Sequence, residues 1–303
     1  MVFSVTILGS SSAIPTQNRN PSAQVLQHHN NLYLIDCGEG TQMQMRRFNI
    51  KTNHINHIFI SHLHGDHYLG LMGLLSSYHL MGRKKDLHIY APPELEEIIT
   101  IQKKSANTDF SFKVIFHNLS HANKKLLYED DKISVSAIAL KHRIPTFGFI
   151  FSEKNKEIKI YKEAICAYNL SIEDIKNIKN GNAYYDKQGR IVHQGLLCKP
   201  LEGAKTYAYI SDTIYDESII KKIKDVDLLY HEATFADELK DIATEKFHST
   251  ARQAATIALK AKVKKLLIGH FSARYKTVEP LLAEARSVFP NTYSAEEGIN
   301  YII

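Results

Sequence analysis

Six consecutive residues, His62-Leu63-His64-Gly65-Asp66-His67, constrain this chain more than any other feature of it. Three imidazoles and a carboxylate follow directly on His57 to Ile60, a short apolar run that reads as a strand. Gly65 gives the backbone freedom to curl at that strand end, so the loop can turn its side chains toward a shared centre. Imidazole nitrogens combined with a carboxylate suit zinc, and iron or manganese less well. Three further residues stand at similar places. His142 follows the apolar run Ile133 to Leu140, Asp212 follows Tyr207 to Ile210, and His270 follows Leu266 to Gly269. Each falls just past an expected strand, and each is therefore a candidate to project from one common sheet edge.

Composition narrows the class. Hydrophobic residues are 44% of the 303 and charged residues 23%, an ordinary globular balance. No apolar run approaches the roughly 20 residues needed to cross a bilayer, and the N-terminal stretch lacks the features of a signal peptide. Cys37, Cys166 and Cys198 are odd in number and far apart, which fits a reducing cytoplasm rather than a disulfide framework. The net charge of +6 permits a nucleic-acid partner without requiring one.

Hydrophobic patterning predicts strands at Phe3–Leu8, Gln24–Gln27, Leu32–Ile35, Leu87–Tyr90, Phe112–His117, Phe147–Phe151, Asp227–Tyr230 and Asn300–Ile303, besides those before the candidate ligands. Helices are expected over Tyr68–Met81, Glu94–Lys103, Thr250–Ala261 and Val278–Val288. The mixture reads as an α/β layered protein with stretches of antiparallel pairing. From about residue 153 to 205 the pattern weakens and lysines gather, among them Lys156, Lys176, Lys179 and Lys199. This reads as an insertion holding a helical piece and a hairpin at Gly181 or Lys187-Gln188-Gly189. Interspersed acids also allow a plain solvated excursion.

Taken together, HxHxDH with a distal His, Asp and His resembles the metallo-β-lactamase superfamily, and the resemblance sharpens to tRNase Z over essentially the whole chain. Pro15-Thr16-Gln17-Asn18-Arg19-Asn20 is similar to that family's PxKxRN loop, with Gln17 in place of the lysine. His231-Glu232-Ala233-Thr234 matches its HEAT motif and His248-Ser249-Thr250 its HST motif, while Gly269 to Tyr275 resembles its last ligand-bearing segment. The insertion occupies the place of the family's exosite arm, although it lacks a Gly-Pro-rich tip.

The resemblance implies a single-domain four-layer αββα sandwich over residues 1–303, with a protruding exosite arm at about 153–205. It implies two Zn(2+) per subunit, one held by His62, His64 and His142, the other by Asp66, His67 and His270, with Asp212 between them. It further implies a homodimer acting on precursor tRNA in the cytoplasm as a zinc-dependent endoribonuclease that removes the 3′ trailer. Asp66 is then the expected general base and His248 the expected acid, oriented by Glu232 or His231. Arg19, Asn20, Arg274, Lys176 and Lys179 are expected to bind RNA. A hydrolase of small substrates on the same fold is the main competing expectation, because identical ligands serve both.

Overall fold

The computed structural model describes residues 3–120, 126–154, 158–198 and 203–303. Lys156 and Lys199 of the sequence reading lie outside the described residues, as do parts of the 153–205 insertion. The chain divides into two compact units. One comprises Met1–Tyr128, Val135–Phe151 and Lys205–Ile303, the other Glu129–Ser134 and Ser152–Ala204.

Two seven-stranded sheets are formed almost wholly by residues of the larger unit. In spatial order the first runs Asn300–Ile302, Phe3–Gly9, Ala23–His28, Asn31–Ile35, Ile55–Phe59, Leu87–Ala91 and Val114–Asn118. Its first four strands pair antiparallel and the remainder pair parallel. The second runs Thr292–Ser294, Lys265–Gly269, Leu228–Glu232, Thr206–Ile210, Thr146–Glu153, Ile133–Leu140 and Leu126–Glu129. Its first four strands are parallel.

The central strands are largely apolar because they are buried on both faces. Leu32, Leu34, Ile58, Leu87 and Ile89 pack with Met45 of helix Thr41–Arg47, Leu74 and Leu75 of helix Leu71–Leu80, and Leu95 and Ile99 of helix Glu94–Ser105. The alternate residues face the other sheet: Phe59 meets Phe149 and Phe151 at ring separations of 5.5 and 5.3 Å, and Tyr33 meets Phe151 at 5.9 Å. The second sheet sends Ala208, Ile210, Leu229, Leu266 and Ile268 outward. They pack against Ala254, Ala255 and Ala258 of helix Ala251–Lys260 and against Leu281 and Ala285 of helix Glu279–Val288. Helix, sheet, sheet and helix make the four layers of the metallo-β-lactamase fold.

Most strand boundaries lie within a residue or two of expectation, and Ile133–Leu140 coincides with it. The expected helix Tyr68–Met81 is interrupted instead, forming Gly65–Tyr68 and Leu71–Leu80. At the break Gly70 donates its N–H to the Cys37 carbonyl, and a Cβ there would lie 2.1 Å from the Gly38 oxygen. The chain is pressed against its neighbour at a point where only glycine fits.

The smaller unit has its own core of Ala164, Leu170, Ile178, Val192 and Leu197. Helices Lys162–Tyr168 and Ile172–Lys179 precede a hairpin of Tyr184–Tyr185 and Ile191–Val192. Ser171 and Asp174 form a capping box on the second helix. The hairpin turns at Asp186 to Gly189, whose φ is 74°, and not at Gly181, which follows the helix end.

Truncating Phe59, which has no exposed surface, leaves a void that neighbouring rings cannot close. Phe59→Ala is expected to lower unfolding stability by about 3–5 kcal/mol. Ile302→Ala, at a side chain 70% exposed, is expected to change it by about 0.5 kcal/mol or less. Urea titration of both variants checks the contrast.

Candidate metal centre

Strand ends build the site. Asp36 follows strand Asn31–Ile35, His62 follows Ile55–Phe59, Asp212 follows Thr206–Ile210, Glu232 closes Leu228–Glu232, and His270 follows Lys265–Gly269. All five strands belong to the parallel portions of their sheets, so their carboxyl ends open on one side. His270 leaves its strand at φ 59° and Asp36 at φ 55°, both in the left-handed region, which breaks the strand direction and turns the side chain.

The structure brings together all seven candidate ligands, in two groups. His62 Nε2 and His142 Nε2 lie 3.1 and 3.2 Å from His64 Nδ1, and 3.5 and 3.8 Å from Asp212 Oδ2. In the second group His67 Nε2 lies 3.3 Å from His270 Nε2, and each is 3.4 Å from Asp66 Oδ2. Asp212 Oδ1 sits 3.4 Å from His67 Nε2 and 3.2 Å from His270 Nε2. One oxygen of Asp212 thus belongs to each group. Atoms at the corners of a zinc tetrahedron, about 2.0–2.1 Å from the metal, lie about 3.3 Å apart. The spacing of both groups matches that edge, whereas single protons could not satisfy so many close donor–acceptor pairs.

Hydrogen bonds behind the rings set the tautomers. The His67 Nδ1–H donates to Asp36 Oδ2 at 2.7 Å and the His142 Nδ1–H to the Phe247 carbonyl at 2.8 Å. Ser61 Oγ donates to Asp36 Oδ2 at 2.9 Å and therefore accepts from His62 Nδ1 at 3.0 Å. Thr234 Oγ1 donates to Glu232 Oε2 at 2.7 Å and accepts from His270 Nδ1 at 3.0 Å. All four rings are thereby turned with Nε2 toward the centre, the atom each would offer a metal. Asp36, Ser61 and Thr234 escaped sequence reasoning as parts of the site. Asp36 alone carried a signal, being an acid just past an apolar strand.

Charge supports the same use. Burial would depress His67, but Asp66, Asp212 and Asp36 around it raise its pKa well above the ordinary value. Burial and the charge of His67 drive His62 well below its own. Burial would raise Asp66 and Asp212, yet the surrounding histidines hold both carboxyls far below the usual range. Without metal, a proton on His67 offsets part of this negative charge, and a bound metal ion would take its place as the counter-charge to these carboxylates.

Beside this centre His248 Nδ1 donates to Glu232 Oε1 at 2.9 Å, leaving Nε2 for the cleft. Glu232 is fixed in turn by the backbone N–H groups of Thr213 and Thr234. Burial lowers His248, but the charge and hydrogen bond of Glu232, with Asp212 and Asp66, outweigh it and raise the pKa to about 9. Of the two residues expected to orient His248, the structure assigns the contact to Glu232. His231 shares the strand face of Leu229, toward the helices, and donates Nδ1–H to the Glu232 carbonyl.

A cleft of about 580 Å³ opens over the centre. Ala13, Ile14, Pro15 and Leu69 line part of it, Arg143 and Lys246 another, with Phe235 and Ser272 nearby. The expected RNA contacts are placed unequally. Arg274 is exposed, 4.9 Å over the Phe235 ring. Arg19 instead donates through Nη2 to the carbonyls of Ser272 and Tyr275, and Asn20 donates through Nδ2 to Glu297. Their side chains brace the loop from within. Lys176 and Lys179 are exposed on helix Ile172–Lys179 of the smaller unit.

Fold and centre together define a metallo-β-lactamase-fold protein with a His/Asp metal-binding cluster. Comparison with known proteins agrees. Ribonuclease Z of Bacteroides fragilis is 45% identical over 98% of this chain and 98% of its own, and that of Phocaeicola vulgatus 46% identical over 99% and 97%. The structure of human tRNase Z, short form, superimposes with a TM-score of 0.73 at 28% identity, covering 99% of both chains. A family model described as Anti-Pycsar protein Apyc1 matches residues 3–161, and that half of the chain belongs to its pattern as well. The chain belongs to the ribonuclease Z family.

Asp36 holds one ligand ring and, through Ser61, a second. Asp36→Asn is expected to lower zinc affinity about 10–100-fold. Competition of the metal-free protein against a chelating dye measures it, and unchanged affinity would remove Asp36 from the support of the centre.

Proposed function

We propose that this protein is the metal-dependent endoribonuclease that removes the 3′ trailer of precursor tRNA, cutting after the discriminator nucleotide. The observation that carries the reading is the split of Asp212 between two donor groups, with His248 and Glu232 set beside them in one cleft. We further propose that the ions are two Zn(2+), one with His62, His64 and His142, the other with Asp66, His67 and His270. When bound there, they would supply Lewis acidity, lowering the pKa of water and polarising the phosphoryl group.

The chain's own residues divide the remaining work. Asp66, kept ionised by its histidine neighbours, orients the attacking water and takes its proton. The water oxygen bonds to phosphorus as the bond to the discriminator 3′-oxygen breaks. His248, protonated at neutral pH, hands a proton from Nε2 to that oxygen. Glu232 keeps the ring in the required orientation and charge state. The products are a tRNA 3′-hydroxyl and a trailer 5′-phosphate. Arg274 near the cleft, and Lys176 and Lys179 on the arm, are proposed to hold phosphates. Arg19 and Asn20 are proposed to act by shaping their loop.

The smaller unit is proposed to be the exosite arm, and the active form a homodimer in which one subunit's arm presents tRNA to the other's site. No helix among the described residues is long and apolar enough to cross a membrane. Three free cysteines support a cytoplasmic setting.

A precursor tRNA with a 3′ trailer, cut once after the discriminator base, with activity lost in EDTA and restored by zinc, is the expected outcome. No cut by a preparation that hydrolyses bis-p-nitrophenyl phosphate would transfer the reading to a small-substrate hydrolase. Replacing residues 155–200 by a short linker is expected to abolish tRNA cleavage while sparing the small phosphodiester. Equal loss of both activities by a folded variant would count against the arm.

His248→Ala is expected to lower kcat about 10²–10⁴-fold with zinc content unchanged. Because the acid must carry its proton, activity persists below the pKa of His248 and declines as pH rises through it. Glu232→Gln removes the charge that raises this pKa. The alkaline limb of the rate profile is therefore expected to move to lower pH, and an unmoved limb would detach Glu232 from the acid.

A further inference from the structure

Glu297 lies in the C-terminal segment, far in sequence from every ligand, yet four donors converge on its carboxylate. Oε1 accepts from the N–H groups of Asn20 at 2.6 Å and Ser10 at 3.3 Å. Oε2 accepts from Asn20 Nδ2 at 2.8 Å and Gln44 Nε2 at 2.7 Å. Gln44, on helix Thr41–Arg47, also reaches the Leu8 carbonyl at 2.9 Å. The carboxylate thereby clasps both ends of the segment between Ser10 and Asn20 and ties them to a helix of the core.

That segment touches the metal centre at two places. The Ala13 N–H donates to Asp66 Oδ2 at 2.7 Å, the same oxygen that faces His67 and His270. Ser11 and Ser12 pair in parallel with Phe271 and Ser272, directly after His270, and Arg19 bonds to the carbonyls of Ser272 and Tyr275. Ala13 has φ 62°, a conformation costly for alanine, so its N–H is aimed by the loop rather than by local preference. Ala13, Ile14 and Pro15 also form part of the cleft lining.

We infer that Glu297 is a positioning residue of the active site: by clasping the 10–20 loop it aims the Ala13 N–H at Asp66 and sets one wall of the cleft. A four-bond anchor is placed here because the loop has no helix of its own, and its strand residues Ser11 and Ser12 pair with another two-residue segment and with a single bridge from Ser11 to Pro21. An unanchored loop would let Asp66 swing between ligand geometries, and a displacement of about 1 Å at such a site is costly in rate. The inference rests on the centre being catalytic, as proposed above.

Glu297→Ala is the test, with Glu296→Ala, an exposed neighbour, as control. In metal-free protein, hydrogen exchange of the 11–20 amides is expected to quicken about tenfold or more in Glu297→Ala and not in the control. In zinc-loaded enzyme kcat is expected to fall about tenfold or more on both precursor tRNA and bis-p-nitrophenyl phosphate, while thermal midpoint and exchange elsewhere remain near wild type. Wild-type exchange in the loop, or quickened exchange with unchanged kcat, would overturn the inference. If Glu297→Ala does not fold, Asn20→Ala, which removes one of the four bonds and opens no core, decides by the same two readouts. Failure of wild-type protein to cut precursor tRNA would sink the proposed function and leave the exchange result and the small-substrate rate to judge Glu297 alone.

Discussion

Everything at the functional end of this protein depends on holding four carboxylates, those of Asp36, Asp66, Asp212 and Glu232, and six imidazoles, with His248 beside the five candidate ligand rings, around one partly buried centre. Such a collection is unstable without a cation, and the surrounding structure is arranged to make it tolerable. Asp36 and Glu232 each accept several hydrogen bonds, so neither is left as a bare buried charge. Each in turn fixes the rings in front of it. Tyr209, reaching from the facing sheet, donates to Asp36 Oδ2 at 2.6 Å, which ties sheet packing to ligand orientation. The two sheets are thus joined by the polar support of the centre as well as by the aromatic layer between them.

The fold supplies this arrangement economically. Parallel strands place their carboxyl ends on one side, and each can end in a residue that turns inward. Both sheets contribute: His62 and Asp36 come from the first, Asp212, Glu232 and His270 from the second. Neither sheet alone carries a full donor set. A metal held between them contributes its binding free energy to the sandwich, so the centre and the fold are coupled in stability.

Much of this was legible in the chain itself, for reasons that are local. A strand buried on both faces must be largely apolar, so Thr206–Ile210 announces itself, while Ile133–Leu140 shows the alternation of a strand with one face buried, and the polar residue that follows each run stands out. HxHxDH is legible because so many ligand types in so short a span have few other uses. Arg19 and Asn20 illustrate the opposite case. A family motif makes them expected substrate contacts, but whether an arginine faces solvent or its own backbone depends on a carbonyl more than 250 positions away. The choice between Glu232 and His231 was closed by strand parity, which needed the exact register of Leu228–Glu232.

The sequence by itself determined the ligand types, the α/β class and the positions where strands must end, because these follow from backbone periodicity and side-chain chemistry within a few residues. Tertiary structure alone decided which oxygen of Asp212 serves which group, that Asp36 and Thr234 set the ring tautomers, and that Glu297 clasps the loop beside Asp66. These are relations among segments remote in the chain, fixed to a few tenths of an ångström by packing of the two sheets, and no local pattern records them.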